Sequence, residues 1–144
     1  MDRVVTKPDA AYFNGLGTKH LPGYLGLEVV EIGDRLLKAR MPILPHHSAP
    51  NGFLHAGGIV TLADTAAGYG TICHLPEGAS GFTTMELKSN FLGTARSGAV
   101  ACEARALHLG STTQVWDCTV TNEENGRVIA VFRCTQMILY PRAK

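Results

Sequence analysis

The sequence predicts an α+β protein in which an antiparallel β-sheet wraps around one long central helix. Three features predict it. Residues 56–73 are the longest run of small and apolar residues, with no proline and many alanines. A run of that length is helical rather than extended, and one that is apolar nearly all round belongs inside other structure. Strand-like segments form two blocks, two before that run and four after it. Strands in blocks around a helix, rather than alternating with helices, indicate an α+β arrangement.

The elements follow in order. Pro8 to Gly15 predicts a short helix, with its proline in the first turn and its glycine as the stop. Residues 1–20 thus read as an N-terminal helical extension of one domain spanning 1–144. Pro22 and Gly23 mark a turn. Tyr24 to Ile32 predicts a strand with Leu25, Leu27 and Val29 on one face. Gly33 and Asp34 form a hairpin turn. Arg35 to Met41 is the return strand, with Leu37, Ala39 and Met41 set against Lys38 and Arg40. A loop from Leu44 to Leu54 leads into the helix Ala56 to Cys73. Four glycines (Gly57, Gly58, Gly68, Gly70) weaken that helix by about 1 kcal/mol each relative to alanine. Packing must compensate, and the glycines permit close approach of a sheet or second helix. After Pro76-Glu77-Gly78 comes Gly81 to Leu92, where Met85, Leu87, Ser89 and Phe91 alternate with Thr84, Glu86, Lys88 and Asn90. Gly98 to Leu109, Thr112 to Asn122 and Arg127 to Tyr140 complete the strands, with a strong hairpin signal at Glu124-Asn125-Gly126.

A chain of 144 residues with 45% hydrophobic and 17% charged side chains has ample material for one core. A net charge of +1, without any Lys/Arg run, speaks against a nucleic-acid partner. No segment reaches the roughly 18 to 20 apolar residues of a membrane helix. The N-terminus lacks an apolar stretch followed by a cleavage site, so a soluble, cytoplasmic protein is expected. The four cysteines (Cys73, Cys102, Cys118, Cys134) form no CxxC pair and read as buried free thiols. His46, His47 and His55 lack the spacing of a helical ligand pair, and no nearby cysteine or second carboxylate completes a metal set. Ser48 has no G-x-S-x-G elbow around it.

One charged residue, Asp64, lies in the middle of the apolar run. A carboxylate there has lost most of its water and must be paired, protonated or used. Counting by three and four, its face holds Gly57, Val60 or Thr61, Gly68 and Thr71. Such a face suits a ligand or a neighbouring subunit better than tight aliphatic packing. The alternative is a buried helix aspartate bonded to a neighbouring threonine or to backbone.

A loop ending in LHAGG, a helix reading IVTLADTAAGYG and a strand reading TTMELKSNFL follow the first two strands. In this order the chain resembles the hotdog-fold acyl-CoA thioesterases, of the phenylacetate-degradation and aromatic acyl-CoA type. The family pattern, N-x-x-G-x-x-H-G-G followed by a helix with L-A-D or L-A-E, is matched over Gly52 to Asp64. The resemblance implies a hotdog fold and hydrolysis of an aromatic or medium-chain acyl-CoA to free acid and coenzyme A. It implies no cofactor, coenzyme A being part of the substrate. It also implies a homodimer and, commonly, a homotetramer. It places the catalytic carboxylate at Asp64, nine positions after the motif histidine, His55. Thr84 falls where relatives have a Ser or Thr that orients the water or the carboxylate. Two positions depart from the pattern. Ala49 stands where the family often has Asn, and the nearest Asn, Asn51, reaches the site only from a rearranged loop. Ala56 replaces the first Gly after the histidine but keeps its N–H.

The residues supply a chemistry for that activity. N–H groups of a helix's first turn have no intrahelical partner and carry the positive end of the dipole. Ala56, Gly57 and Gly58 form that turn, and donors of this kind are worth about 3 to 4 kcal/mol each to an oxyanion. Asp64 lies roughly 10 Å further along the axis, at about 1.5 Å per residue. Both cannot touch one carbonyl within a chain. The distance favours a dimer, and the resemblance implies that sites form between two subunits, the helix start of one opposite the carboxylate of the other. Asp64 would act as nucleophile or as general base. His55 either contacts the substrate carbonyl or bonds the local backbone at the helix entry. Lys88, Arg96 and Arg142 are candidates for the coenzyme A phosphates, and Phe53 and Tyr69 for the acyl pocket. Two alternatives stay open: a β-hydroxyacyl-thioester dehydratase or hydratase pairing His55 with Asp64, and a non-catalytic acyl-thioester binding protein.

Overall fold

The computed structural model describes residues 7–143. Two short helices, α1 (Ala10–Gly17) and α2 (Leu21–Tyr24), precede the hairpin β1 (Glu28–Gly33) and β2 (Leu36–Pro42). A 3₁₀ turn at Pro45–His47 leads to the long helix α3 (Ala56–Cys73). Four strands follow: β3 (Gly81–Phe91), β4 (Ala99–Leu109), β5 (Thr113–Asn122) and β6 (Val128–Leu139). All six strands form one sheet in the order β1-β2-β4-β5-β6-β3, with every neighbouring pair antiparallel.

The inner face of the sheet packs on α3 through β2, β4, β5, β6 and β3. Period-2 alternation produces that face. Leu37, Ala39 and Met41 of β2, Trp116, Cys118 and Val120 of β5, and Phe132 and Cys134 of β6 are buried together with Leu62, Ala63 and Ala66 of α3. Helix glycines make the close approach possible. A Cβ on Gly70 would lie 2.8 Å from the Trp116 ring, and one on Gly68 would lie 3.1 Å from Phe82.

α1 closes one flank of α3. Phe13, 1% exposed, stacks on Tyr69 with ring centroids 4.3 Å apart. Asn14 fastens α1 to β1 by accepting from Val29 N–H at 2.8 Å and donating to Val29 O at 3.1 Å. At the far edge of the sheet, β3 pairs with β6 on one side only. Its residues Met85, Leu87 and Phe91, with the adjoining Leu92, are exposed.

Several local expectations need correction. The first helix is Ala10–Gly17, not Pro8 to Gly15, because the Asp9 carboxylate caps it by accepting from Tyr12 N–H at 2.8 Å. The Pro22-Gly23 turn is the body of α2, with Pro in its first turn. The strand expected from Tyr24 begins only at Glu28, because Tyr24 and Leu25 close α2. The first hairpin turns at Asp34 and Arg35, with Gly33 paired to Leu36 and Arg35 at φ 56°. The alternation expected in β3 breaks at Met85, where a β-bulge separates the Thr84–Gln136 pair from the Glu86–Thr135 pair. Thr84 therefore shares the inner face with Leu87, the partner of Cys134. The earliest residues of the expected 1–20 extension lie outside the described residues.

Candidate functional site

Asp64 sits mid-way along α3, on the side turned toward β6 and β3. Its Oδ1 is buried and has no hydrogen-bond partner among the described residues. Burial pushes the carboxyl above its ordinary value of 3.8. Across the interface with β6, burial and then the Asp64 charge push the Cys134 thiol up to about 12. The threonines on its face do not quench it. Thr61 Oγ1 donates to Gly57 O at 2.8 Å, and Thr71 Oγ1 donates to Ala67 O at 2.8 Å. Each hydroxyl proton is spent on its own helix, four residues back. Asp64 Oδ1 is thus a desolvated acceptor left open.

Thr84 stands on the same inner surface. The bulge at Met85 turns it inward, where its hydroxyl donates to Gln136 Oε1 at 2.7 Å. Gln136 is fully buried, and its Nε2 has no partner among the described residues. Directly across from it on β5, Gln114 donates to His74 O at 2.8 Å and accepts from Trp116 Nε1 at 2.9 Å. These two glutamines were not among the sequence candidates. The signal was there: Gln136 is a strongly polar residue on the apolar phase of β6, between Cys134 and Ile138.

At the start of α3, His55 is the N-cap. Its Nδ1 accepts from Gly57 N–H at 2.8 Å, which fixes the ring tautomer with the proton on Nε2. Its carbonyl accepts from Gly58 N–H at 3.0 Å. Gly57 and Gly58, expected to offer free N–H groups, are therefore engaged within the chain. Ala56 N–H has no acceptor among the described residues. His55 takes the helix-entry role, one of its two expected roles. The preceding loop is a tight hairpin: Ala49 N–H donates to Phe53 O at 2.7 Å, and His55 N–H donates to His47 O at 2.9 Å. Asn51 lies at its exposed tip, where Oδ1 accepts from Phe53 N–H at 3.2 Å. Its side chain serves the loop and does not meet Asp64 within the chain.

The basic candidates separate. Arg96 comes back from the β3–β4 connection to lie over the Phe53 ring, 4.8 Å from its centroid, beside the loop that enters α3. Lys88 pairs with Arg133 on the outer face of the sheet, so the sheet stands between it and Asp64. Arg142 is exposed beyond the end of β6. Of the acyl-pocket candidates, Tyr69 lies under Phe13 on the flank away from β3, and Phe53 is 40% exposed at the helix entrance. Among the described residues, no group of three His, Cys, Asp or Glu side chains could hold a metal ion. Among these same described residues, no helix is long and apolar enough to cross a membrane.

Residues 51–129 match the family model described as the thioesterase superfamily. A 1,4-dihydroxy-2-naphthoyl-CoA hydrolase of Escherichia coli is 36% identical over 129 residues, covering 88% of this chain and 91% of that protein. The structure of a mutant thioesterase from Pseudomonas aeruginosa superposes with a TM-score of 0.86 at 30% identity, covering 94% of this chain and 96% of that one. The PaaI protein from the phenylacetic acid degradation operon of E. coli superposes with a TM-score of 0.74 at 21% identity over 82% of this chain and 83% of that one, a likeness of fold.

Proposed function

The chain belongs to the thioesterase superfamily and is a thioester hydrolase with the hotdog fold, and from that premise we propose that it hydrolyses an aromatic acyl-CoA with Asp64 as the reacting carboxylate. The observation that carries the assignment is Asp64 Oδ1, a buried acceptor with no partner on a helix whose threonines bond elsewhere. A desolvated carboxylate is a stronger base and nucleophile than a hydrated one. The aromatic preference is taken from the naphthoyl-CoA hydrolase among the relatives. Ala56 N–H, at the positive end of the α3 dipole, supplies the oxyanion donor. No cofactor takes part; coenzyme A enters as part of the substrate, with Arg96 beside the helix entrance to meet its phosphates.

The site is completed by a second copy. Asp64 and Ala56 are eight residues apart on one straight helix, too far to share a carbonyl. The free edge of β3, with Met85, Leu87 and Phe91 exposed, is where a partner's β3 would pair. Pairing there lays the Asp64 flank of α3 near the helix of the partner subunit.

Release of free coenzyme A thiol from benzoyl-, phenylacetyl- and octanoyl-CoA tests the assignment. Asp64→Asn and Asp64→Ala are expected to lose nearly all release while remaining folded. Wild-type turnover in either variant refutes the role of Asp64. Binding without release in the wild type refutes hydrolysis of these acyl-CoAs.

A further inference from the structure

Gln136 is a fully buried amide that the proposed reaction does not yet use, and it touches a residue that the reaction does. A hydroxyl has one proton to give and two lone pairs to receive. The Thr84 proton is spent on Gln136 Oε1 at 2.7 Å. Thr84 Oγ can therefore only accept from anything else in the site. Asp64 Oδ1 is likewise an acceptor with no donor. Thr84 and Asp64 lie on one surface: Gly68, one turn after Asp64 on α3, lies against Phe82, and Thr84 follows two residues later on the same face of β3. Two acceptors facing one space cannot bond each other. They match a molecule that donates twice, which is water.

We propose that Gln136 is a positioning residue that holds the Thr84 hydroxyl as an acceptor, so that Thr84 Oγ and Asp64 Oδ1 take the two protons of the hydrolytic water. The inference rests on Asp64 being the reacting carboxylate, and it assigns that carboxylate as general base rather than nucleophile. A Thr84 hydroxyl serving an attacking carboxylate would donate to it, and here its proton is committed elsewhere. With both protons held, the water's lone pair is left for the thioester carbonyl. As its oxygen bonds to the carbonyl carbon, one proton passes to Asp64 and the carbonyl electron pair moves onto its oxygen. Collapse then breaks the C–S bond, the electrons leave with the coenzyme A sulfur, and Asp64 returns the proton to that thiolate.

The groups around Asp64 leave the test clean. Cys134 on β6 feels the Asp64 charge, and Cys118 on β5 lies against Ala63, the residue before Asp64, while Glu86 on β3 pairs with Thr135 on the opposite phase of the strand. Burial holds the Cys134 thiol at about 12, so it stays neutral through the working range. The basic residues of β2, Lys38 and Arg40, are in ion pairs with Glu31 and Glu123.

The experiment is the pH profile of kcat/KM for Thr84→Val, Gln136→Leu, their double variant and Asp64→Asn, on the acyl-CoA that the wild type turns over fastest. Thr84→Val is expected to lower kcat about tenfold and to leave the acid limb where it was, because Thr84 gives no proton to Asp64. Gln136→Leu frees the Thr84 hydroxyl to donate to Asp64. It is expected to lower kcat by a similar factor, leave KM unchanged and move the acid limb to lower pH. The double variant is expected to be no slower than Thr84→Val alone, since Gln136 acts only through Thr84. Additive losses in the double variant, or an acid limb that rises in Thr84→Val, overturn the inference while an inactive Asp64→Asn leaves the underlying assignment intact. An Asp64→Asn variant with full turnover removes both. Should Gln136→Leu fail to fold, the near-isosteric Gln136→Met takes its place, with the same expected shift of the acid limb, and an unmoved limb in that variant overturns the inference.

Discussion

Replacing Asp64 by asparagine is expected to stop turnover and, at neutral pH, to raise the melting temperature. Asp64 Oδ1 is buried without a partner, and burial has raised the carboxyl above 3.8. An unsatisfied buried polar atom costs roughly 1–3 kcal/mol, and a charge adds to that. Asparagine keeps the shape and removes the charge. The amide's own polar atoms stay buried, so only the share of the charge is relieved; at about 3–4 °C per kcal/mol for a domain of this size, a gain of about 3–4 °C is expected. The pH dependence fixes the sign. A carboxyl whose folded pKa is raised favours folding fully below its unfolded value and loses that contribution as pH climbs through the folded value. The wild type thus bears the cost more fully at high pH than at low pH. Calorimetry of both proteins from pH 4 to 8 should show a gap that closes on acidification. A variant melting at or below the wild type at pH 8, or a gap that widens at low pH, refutes the idea that Asp64 is held at a cost to the fold.

Gly70→Ala adds a Cβ 2.8 Å from the buried Trp116 ring, and overpacking of about 1–3 kcal/mol should outweigh the gain of about 1 kcal/mol in helix propensity. Its melting temperature is expected to fall, and a rise would show that the sheet can move away from α3. Leu87→Arg at the β3 edge is expected to give monomers by light scattering and to lose thiol release together with them; an active monomer would refute the shared site. Arg96→Ala should raise KM for acyl-CoA and leave KM unchanged for a short thioester lacking the nucleotide; equal changes for both would remove the phosphate contact.

The β-rich frame was legible in the sequence because burial imposes period two on it. The limits of α3 were read correctly, Ala56 to Cys73, because His55 and the glycine-rich first turn mark its start and Pro76 lies soon after its end. Misplaced boundaries fall where local chemistry outweighs periodicity. Tyr24 and Leu25 look like strand residues but close a helix begun by His20 and Pro22. The bulge at Met85 is invisible to an alternation count, and it inverts the face of Thr84. Gln136 was missed because its partner is 52 residues away in the chain, and only pairing of β3 with β6 brings Thr84 to it.

The sequence by itself determined the wrapped helix and the place of one carboxylate in it, because a charge in an apolar helical run is conspicuous in any fold. Only the tertiary structure decided which polar groups there are free. His55 turned back to occupy the Gly57 N–H, Thr61 and Thr71 spent their protons on α3, and the bulge gave the Thr84 proton to Gln136. Asp64 Oδ1 and Gln136 Nε2 remained without partners among the described residues. A hydrogen bond needs its partner within about 3 Å at a suitable angle. Register and bulges set that geometry, and residue types along the chain do not.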